Sequence, residues 1–305
     1  MGRTSAFGVA VAALLAVACA SDRPQDVGGG RWRSSQPLVV SAIPDQDPQR
    51  LERLYGLVAE YLSDELGVPV SYEAVSDYTA SVTLFRLGEL DLVWYGGLTG
   101  VQARLQTPGA HAIAQRDIDA RFHSVFIANT ATGLEPFDDL AGLAQLAGLR
   151  FTFGSEISTS GRLMPQYFLE RAGVGLDDFD GEPGFSGDHD KTIDLVESGT
   201  YEAGAVNEQV WDARVAEGSV DTDKVIEVFR TPAYHDYHWV IAPGLDELYG
   251  PGFVDAVTDA LLALDGSDER ERQVLELFGA KRFISTEDGN YARIEQVARD
   301  AGLIR

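Results

Sequence analysis

Three consecutive hydroxyl residues, Ser158, Thr159 and Ser160, stand between a strand-like run and a helix-like run, with Gly161 behind them. The first N–H groups of a helix lack intrahelical acceptors, and the helix dipole places partial positive charge there. Hydroxyls at this position either cap the helix or help those N–H groups to hold an anion. Because proline is tolerated in the first turn of a helix, Pro165 predicts a helix start near Gly161. The segment is therefore a candidate anion site, with an ordinary N-cap as the alternative.

The elements around this loop alternate between apolar strands and amphipathic helices. Residues 38–43 form a continuous apolar run, and residues 50–66 repeat apolar side chains with helical spacing. Such alternation is typical of α/β layer folds, in which ligands bind outside the carboxyl ends of the strands. The loops 45–47, 76–78 and 95–99 follow predicted strands and are further candidates for the site.

The order of the elements predicts two α/β units with a ligand cleft between them. Two extended segments, 123–129 and 237–242, are predicted to connect the units. The first lobe is then discontinuous, with residues 37–124 and 240–305, and the second lobe, residues 125–239, is inserted into it. The 305 residues of the chain are sufficient for two such units.

Composition excludes several classes of partner and site. The formal net charge is −24, which argues against nucleic acid, because phosphate backbones require clustered Lys and Arg. A small anion is still compatible with this charge, since remote carboxylates are screened within about 8 Å at physiological salt. The chain has one cysteine, so it has no intramolecular disulfide and no Cys-based zinc site.

The first 19 residues predict export. An apolar run over 6–18 has the length of a signal-peptide core, and Cys19 follows it in Ala-Val-Ala-Cys. This motif resembles the lipobox of bacterial lipoproteins, in which the cysteine carries the lipid, although Leu is commoner at the position of Ala16. Residues 20–36 are predicted to be a flexible tether. We therefore expect a periplasmic or cell-surface protein anchored to the membrane through Cys19, with a plain secretory signal as the alternative.

Several motifs in chain order resemble one known family. They are Ile43-Pro44-Asp45, Asp77-Tyr78, Asp91-Leu92-Val93-Trp94-Tyr95-Gly96-Gly97, Ser158-Thr159-Ser160-Gly161, Gly187-Asp188-His189 and Gly204-Ala205-Val206-Asn207. From about residue 38 to 283, the chain is similar to the PhnD-like substrate-binding proteins of ABC importers for phosphonates, phosphite and related oxyanions. IPDQDPQRL, LDLVWYGGLTGVQARL and TPAYHDYHWV most resemble a subgroup labelled putative selenate-binding proteins.

The resemblance implies a two-lobed periplasmic-binding-protein fold of type II that closes on its ligand and meets a membrane permease. It implies that the Ser-Thr-Ser loop holds the oxyanion, that His189 donates to it, and that Tyr78 and Tyr95 close the site. Asn207, at a strand end in the same pattern, is a further candidate. A protonated His189 would strengthen the binding of a dianion.

Each of these residues has a plainer alternative. His189 is equally compatible with a surface histidine, and the two tyrosines with packing within a lobe. His235 and His238 either line the cleft or pack at the hinge, and packing is favoured. Glu208, Gln209 and Asp236 lie nearby in sequence, but the resemblance does not place a carboxylate for an aminophosphonate.

Other function classes remain as alternatives. A hydrolase using Ser160 and His189 is disfavoured because no G-x-S-x-G motif surrounds the serine. A sensor for an oxyanion signalling system would use the same binding chemistry with a different partner. The sequence predicts no metal, no cofactor and no catalysis, and we expect a monomeric oxyanion-binding protein of an ABC importer.

Overall fold

The structure is a computed structural model, and it describes residues 1–2 and 32–304. The predicted signal peptide, the lipobox at Cys19 and most of the predicted tether lie outside the described residues. Within the described part of the chain, no helix combines the length and apolar character needed to cross a membrane.

Strands and helices alternate along the chain. The strands are β1 (Leu38–Ala42), β2 (Val70–Tyr72), β3 (Leu92–Tyr95), β4 (His111–Arg116), β5 (Ser124–Asn129), β6 (Phe151–Phe153), β7 (Gly184–Phe185), β8 (Ala203–Asn207), β9 (Val225–Arg230), β10 (His238–Ile241) and β11 (Phe283–Ser285). The α-helices are α1 (Pro48–Leu66), α2 (Tyr78–Leu87), α3 (Gly97–Gln106), α4 (Met164–Arg171), α5 (His189–Glu197), α6 (Glu208–Ala216), α7 (Leu245–Tyr249), α8 (Phe253–Ala263), α9 (Glu269–Phe278) and α10 (Ala292–Asp300).

The strands form two separate mixed sheets. The six-stranded sheet has the order β11-β4-β10-β3-β1-β2, and the five-stranded sheet has the order β7-β6-β8-β5-β9. We call the first sheet with its helices the first lobe, and the second sheet with its helices the second lobe. In the first lobe β1 pairs parallel to β2 and β3, whereas β10 pairs antiparallel to β3 and β4. The α/β class predicted from the alternation is confirmed.

The chain crosses between the sheets twice, and the two crossings are paired. Phe122 and Tyr234 exchange two backbone hydrogen bonds of 2.9 Å, and the Asp236 N–H donates to the Asp119 carbonyl. The segments predicted as connectors, 123–129 and 237–242, supply β5 and β10, which lie inside the sheets. The crossings themselves therefore fall just before these strands.

Local sequence accounts for the element ends near the cleft. The helix α1 begins after Asp47, whose carboxylate accepts a hydrogen bond from the Arg50 N–H, and ends at Gly67 in the left-handed region. Its apolar face, with Leu51, Leu54 and Val58, is buried. The strand β2 has only three residues, and Leu140–Leu146 form a 3-10 helix.

Candidate functional site

The predicted site loops meet where strands of both sheets end. The ends of β1 and β3 lead into Asp45 and Gly96 in the first lobe, and the ends of β6 and β8 lead toward Ser158 and Asn207 in the second. Hydrogen bonds join the loops of the first lobe to those of the second, among them Leu98 N–H to Thr159 and Tyr237 to Asp45. The site therefore lies between the lobes, outside the carboxyl ends of parallel strands.

The Ser-Thr-Ser loop starts a helix, but two residues earlier than predicted. Ser158 is the N-cap, and its hydroxyl accepts a hydrogen bond of 3.0 Å from the Gly161 N–H. One turn of π-helix, Thr159–Leu163, then leads into α4. Pro165 cannot donate to the Gly161 carbonyl, and this carbonyl accepts from the Gly154 N–H at 2.9 Å instead. Pro165 therefore lies in the first turn of the α-helix, as predicted, and the π-helical turn before it places the first helical residue at Thr159, two positions before Gly161.

The first turn leaves backbone donors free for a ligand. The N–H groups of Thr159 and Ser160 occupy the first two helical positions, where no intrahelical carbonyl can reach them. Ser158, Thr159 and Ser160 are all buried. The capping and anion-binding interpretations of this loop are therefore compatible, because the cap uses only the Ser158 hydroxyl.

Thr159 joins the two lobes. Its hydroxyl oxygen accepts a hydrogen bond of 2.8 Å from the N–H of Leu98, which lies in the first turn of α3 in the first lobe. Gly96 and Gly97 pass so close to Thr159 that a Cβ on Gly96 would lie 3.2 Å from the threonine hydroxyl. The glycines that follow β3 thus permit the close approach of the lobes.

Three buried polar atoms at this junction lack a well-formed hydrogen bond. They are the hydroxyls of Tyr78 and Ser160 and the Oδ2 atom of Asp236. The Tyr78 hydroxyl approaches Ser158, and the Ser160 hydroxyl approaches the Asp236 carboxyl. An unsatisfied buried polar group costs about 1–3 kcal/mol, so such groups are rare unless a ligand completes them. Their convergence beside a helix N-terminus is the chemistry expected of a small polar ligand site.

Asp236 is the site residue that sequence reasoning left unplaced. It lies in the second crossing, is fully buried, and its Oδ1 accepts a hydrogen bond of 2.8 Å from the Gly97 N–H. Burial raises the pKa of Asp236 to about 7, against the lowering effect of this hydrogen bond. The carboxyl can therefore hold a proton near neutral pH and donate it to an oxyanion.

His189 is buried and held in one tautomer. The Asn207 N–H donates to its Nδ1 at 3.3 Å, which leaves the proton on Nε2. Nε2 lies 3.4 Å from the Tyr237 hydroxyl. Burial lowers the pKa of His189 to about 3, so the ring is neutral at physiological pH and acts as a donor through Nε2–H. Any strengthening of binding by its protonation would therefore occur only at acidic pH.

A second network links the lobes through Tyr237. Its hydroxyl donates to Asp45 Oδ2 at 2.8 Å and accepts from Asn207 Nδ2 at 3.0 Å. The His189 N–H also donates to the Asp45 carbonyl. Burial raises the pKa of Asp45 to about 6. Asn207 also caps α6 with its side-chain oxygen, so its side chain supports His189 and Tyr237.

Tyr95 does not belong to the site. Its hydroxyl donates to the Ser81 carbonyl at 2.9 Å, and its ring packs edge-on against Phe85. Alternate side chains of a strand face opposite sides of the sheet, and Tyr95 faces α2. The alternative of packing within a lobe is the one that the structure supports for this residue.

The two histidines near the hinge pack against the first lobe. His238 stacks on Tyr291 with ring centroids 3.8 Å apart, and its Nε2 accepts from Arg104. Its Nδ1 therefore carries the proton and donates to the Asp236 carbonyl. His235 contacts Gln115. His238 thus supports the backbone of Asp236.

No group of three His, Cys, Asp or Glu side chains able to hold a metal occurs among residues 1–2 and 32–304. The donors gathered at the junction are backbone N–H groups, hydroxyls and a neutral imidazole. Arg116, whose guanidinium lies 5.1 Å from the Tyr237 ring, is bound by both oxygens of Asp119. The site is therefore built to hold an anion mainly with neutral donors.

Comparison with known proteins decides the family. Residues 40–291 match the family model described as ABC transporter, phosphonate, periplasmic substrate-binding protein. This chain belongs to that family. It is 48% identical over 269 residues to the probable ABC transporter phosphite binding protein PhnD1 of Prochlorococcus marinus (strain MIT 9301), covering 88% of this chain and 91% of the relative.

One further relative and a solved structure agree with this assignment. The chain is 28% identical over 210 residues to the phosphate-import protein PhnD of Mycolicibacterium smegmatis, covering 65% of this chain and 63% of that one. The structure of the Prochlorococcus marinus PhnD1 in complex with methylphosphonate superposes with a TM-score of 0.87 at 47% identity, covering 89% of this chain and all of that one.

Family membership confirms several predictions. The chain is a periplasmic substrate-binding protein of a phosphonate ABC importer, with the two-lobed α/β fold, and it is not an enzyme. Such a protein is exported, binds a small ligand and works with a membrane permease. The hydrolase alternative is thereby overturned.

Proposed function

We propose that this protein binds a monoprotonated phosphorus oxyanion, such as phosphite or methylphosphonate, between its lobes. The backbone N–H groups of Thr159 and Ser160, the hydroxyls of Ser158, Ser160 and Tyr78, and Nε2–H of His189 donate to its oxygens. The supporting observation is the group of unpartnered buried polar atoms around the helix N-terminus. The similarity to a relative named as phosphite-binding, whose structure holds methylphosphonate, supports the same ligand class.

Asp236 discriminates among tetrahedral anions. Ionised Asp236, which its pKa of about 7 allows at and above neutral pH, can accept a hydrogen bond from a ligand hydroxyl and repels an anion that carries no proton. Phosphite and phosphonates carry an ionisable hydroxyl near neutral pH, whereas sulfate and selenate are fully ionised. The site thus favours phosphorus oxyanions. Selenate is the second candidate, because some motifs of the chain resemble the subgroup labelled as selenate-binding.

Thermal unfolding of the purified mature domain tests this order of ligand preference. The panel contains phosphite, methylphosphonate, phosphate, sulfate and selenate at fixed ionic strength and pH. A ligand present at 100 times its dissociation constant adds about 2.7 kcal/mol of stability. We expect phosphite or methylphosphonate to raise the melting temperature most. A larger rise with selenate would identify selenate as the ligand in place of a phosphorus oxyanion. No rise with any anion would refute the proposed ligand class.

Lipid anchoring, the lobe bounds and the monomeric state belong to the same proposal. Residues 1–19 are proposed as a signal peptide with lipobox and 20–31 as a tether. The last part of the predicted tether, 32–36, packs on the first lobe instead, since the Trp32 ring contacts Phe253 and the Arg33 N–H donates to the Tyr249 carbonyl. The predicted lobes, 37–124 with 240–305 and 125–239, are proposed with their limits moved to the starts of β5 and β10, at Ser124 and His238. The only cysteine, Cys19, follows directly after the apolar run, which supports the anchor. A monomer is the default for a two-lobed binder, and the mass in solution from light scattering tests it.

The anchor has its own experiment. Cys19→Ser removes the lipid acceptor, and we expect the exported variant to leave the membrane fraction for the soluble fraction. Cell fractionation of wild type and variant measures this. A wild-type protein found in the soluble fraction would show that the lipobox prediction is wrong and that the plain secretory signal is correct.

A further inference from the structure

A group of charged residues joins the lobes beside the ligand site without entering it. Asp47 and Arg50, at the start of α1, belong to the first lobe, and Asp190, Arg214 and Glu217 belong to the second. We call these five residues the interlobe bridge. None of them is among the proposed ligand donors, so any effect they have on binding acts through the position of the lobes.

Asp190 is the centre of the interlobe bridge. Its Oδ2 accepts a hydrogen bond of 2.8 Å from the Asp47 N–H, across the lobes. Its Oδ1 lies 3.4 Å from Nη1 of Arg214, which also donates to the Asp190 carbonyl at 3.2 Å. The carboxylate therefore reaches the N-terminal end of α1, where the helix dipole favours negative charge, while Arg214 fixes it from its own lobe.

A second contact lies next to the first. Arg50 forms an ion pair of 3.2 Å with Glu217, which follows the last residue of α6. The Arg50 side chain is 21% exposed and that of Glu217 is 52% exposed. Salt screens an exposed pair of this kind, and it contributes less than the half-buried contact of Asp190.

The interlobe bridge is tied to the ligand site by chain connectivity. Asp190 directly follows His189, whose N–H donates to the Asp45 carbonyl, two residues before Asp47. Both contacts therefore depend on the loop after β1 lying against the start of α5. In that arrangement His189 lies at the proposed ligand site and Asp190 contacts the start of α1. When the lobes separate, the Asp190 carboxylate loses the Asp47 N–H together with the ligand-side contacts.

We propose that Asp190, with Arg50 in a smaller part, is a positioning residue that holds the lobes closed and slows ligand release. The inference rests on the proposed function, because it requires that closing of the lobes traps the anion. It places part of the binding free energy in residues that do not touch the ligand.

The experiment measures association and dissociation rates by stopped-flow tryptophan fluorescence, with methylphosphonate and phosphite as probes. Asp190→Ala should raise the dissociation rate about tenfold, the size expected for one charge-assisted hydrogen bond, with the association rate unchanged. Arg50→Ala should raise it about two- to fivefold at low salt and leave it unchanged at 1 M salt. Arg53→Ala is the matched control on the same helix and should release ligand at the wild-type rate.

Exchanging the charges of Arg50 and Glu217 provides a second test, whose outcome does not depend on whether the Asp190 variant folds. Arg50→Glu and Glu217→Arg should each speed release, and the double variant should restore the rate toward wild type. Wild-type release rates in Asp190→Ala and in both charge variants would overturn the inference while leaving the proposed function intact. An effect of Asp190→Ala on association alone would also overturn it. Absence of binding by wild type itself would instead refute the proposed function.

Discussion

At the scale of single residues, the proposed site is distinguished by buried polar groups that are left incomplete. The hydroxyls of Tyr78 and Ser160 and one oxygen of Asp236 have no well-formed partner, although all three side chains are buried. Folding carries the cost of these groups, and ligand binding recovers it. The proposed selectivity comes from Asp236, because its ionised carboxylate can accept a hydrogen bond from the hydroxyl of a protonated anion and repels an anion without one.

The ionisation of Asp236 predicts a dependence of stability on pH. Its pKa is about 7 in the folded chain and 3.8 as the ordinary value, so the folded state binds the extra proton between these pH values. Stability without ligand therefore falls as pH rises from about 4 to about 7, by on the order of 1.4 kcal/mol per pH unit for this group. Urea unfolding at several pH values measures the slope.

Asp236→Asn should reduce that slope by the same amount, because the amide does not ionise. The exposed Asp259→Asn is the control and should keep the wild-type slope. Asp45, whose pKa is raised to about 6, contributes in the same direction in all three proteins. An unchanged slope in Asp236→Asn would mean that Asp236 does not hold its proton through this range.

At the scale of elements, short segments at strand ends set how closely the lobes approach. The strand β3 ends at Tyr95, and the two glycines after it pass against Thr159, whose hydroxyl binds the Leu98 N–H. A Cβ at Gly96 would lie 3.2 Å from the Thr159 hydroxyl, so a side chain there would require these atoms to shift by a few tenths of an ångström. The loop sequence therefore sets the closed distance between α3 and the Ser-Thr-Ser helix.

Gly96→Ala tests this closeness. The added Cβ would lie 3.2 Å from the Thr159 hydroxyl and 3.4 Å from Asp236 Oδ1, while the Gly96 φ of −72° suits alanine. We expect ligand affinity to fall by about tenfold or more, with little change in the stability of the ligand-free protein. Calorimetric titration and thermal unfolding measure the two quantities.

Gly56→Ala is the matched control, because a Cβ there meets nothing within 4 Å in the middle of α1. It should raise stability by about 0.5–1 kcal/mol and leave affinity unchanged. Equal affinities in Gly96→Ala and wild type would show that the lobes do not need the close contact to bind ligand.

Sequence patterns predicted the elements better than the side chains that complete the site. Strand–helix alternation gave the fold class, and the Ser-Thr-Ser segment with its glycine marked the helix N-terminus. Asp236 was left unplaced because its role depends on the second crossing, which brings it to Gly97, far away in sequence. Tyr95 was misassigned because a strand end does not show which face a side chain takes. The helix start depended on the Gly154–Gly161 hydrogen bond, which no local pattern reveals.

At the scale of the whole molecule, two lobes joined by paired crossings enclose a site that neither lobe completes alone. The second lobe supplies the helix N-terminus and His189, the first supplies Tyr78 and the backbone around Gly97, and the second crossing supplies Asp236. Closing of the lobes therefore couples ligand contact to the shape that a permease meets. The net charge of −24 is compatible with this proposal, because remote carboxylates are screened and the proposed donors are local.

The most direct measurement of the central claim is a calorimetric titration of methylphosphonate into wild type and into the double variant Thr159→Ala with Ser160→Ala. Circular dichroism confirms the fold of both proteins, and phosphite serves as a second ligand. The account predicts that wild type binds and that the double variant loses measurable binding while it remains folded. Equal affinity in the two proteins would contradict the claim that the helix N-terminus at Ser158–Ser160 holds the oxyanion.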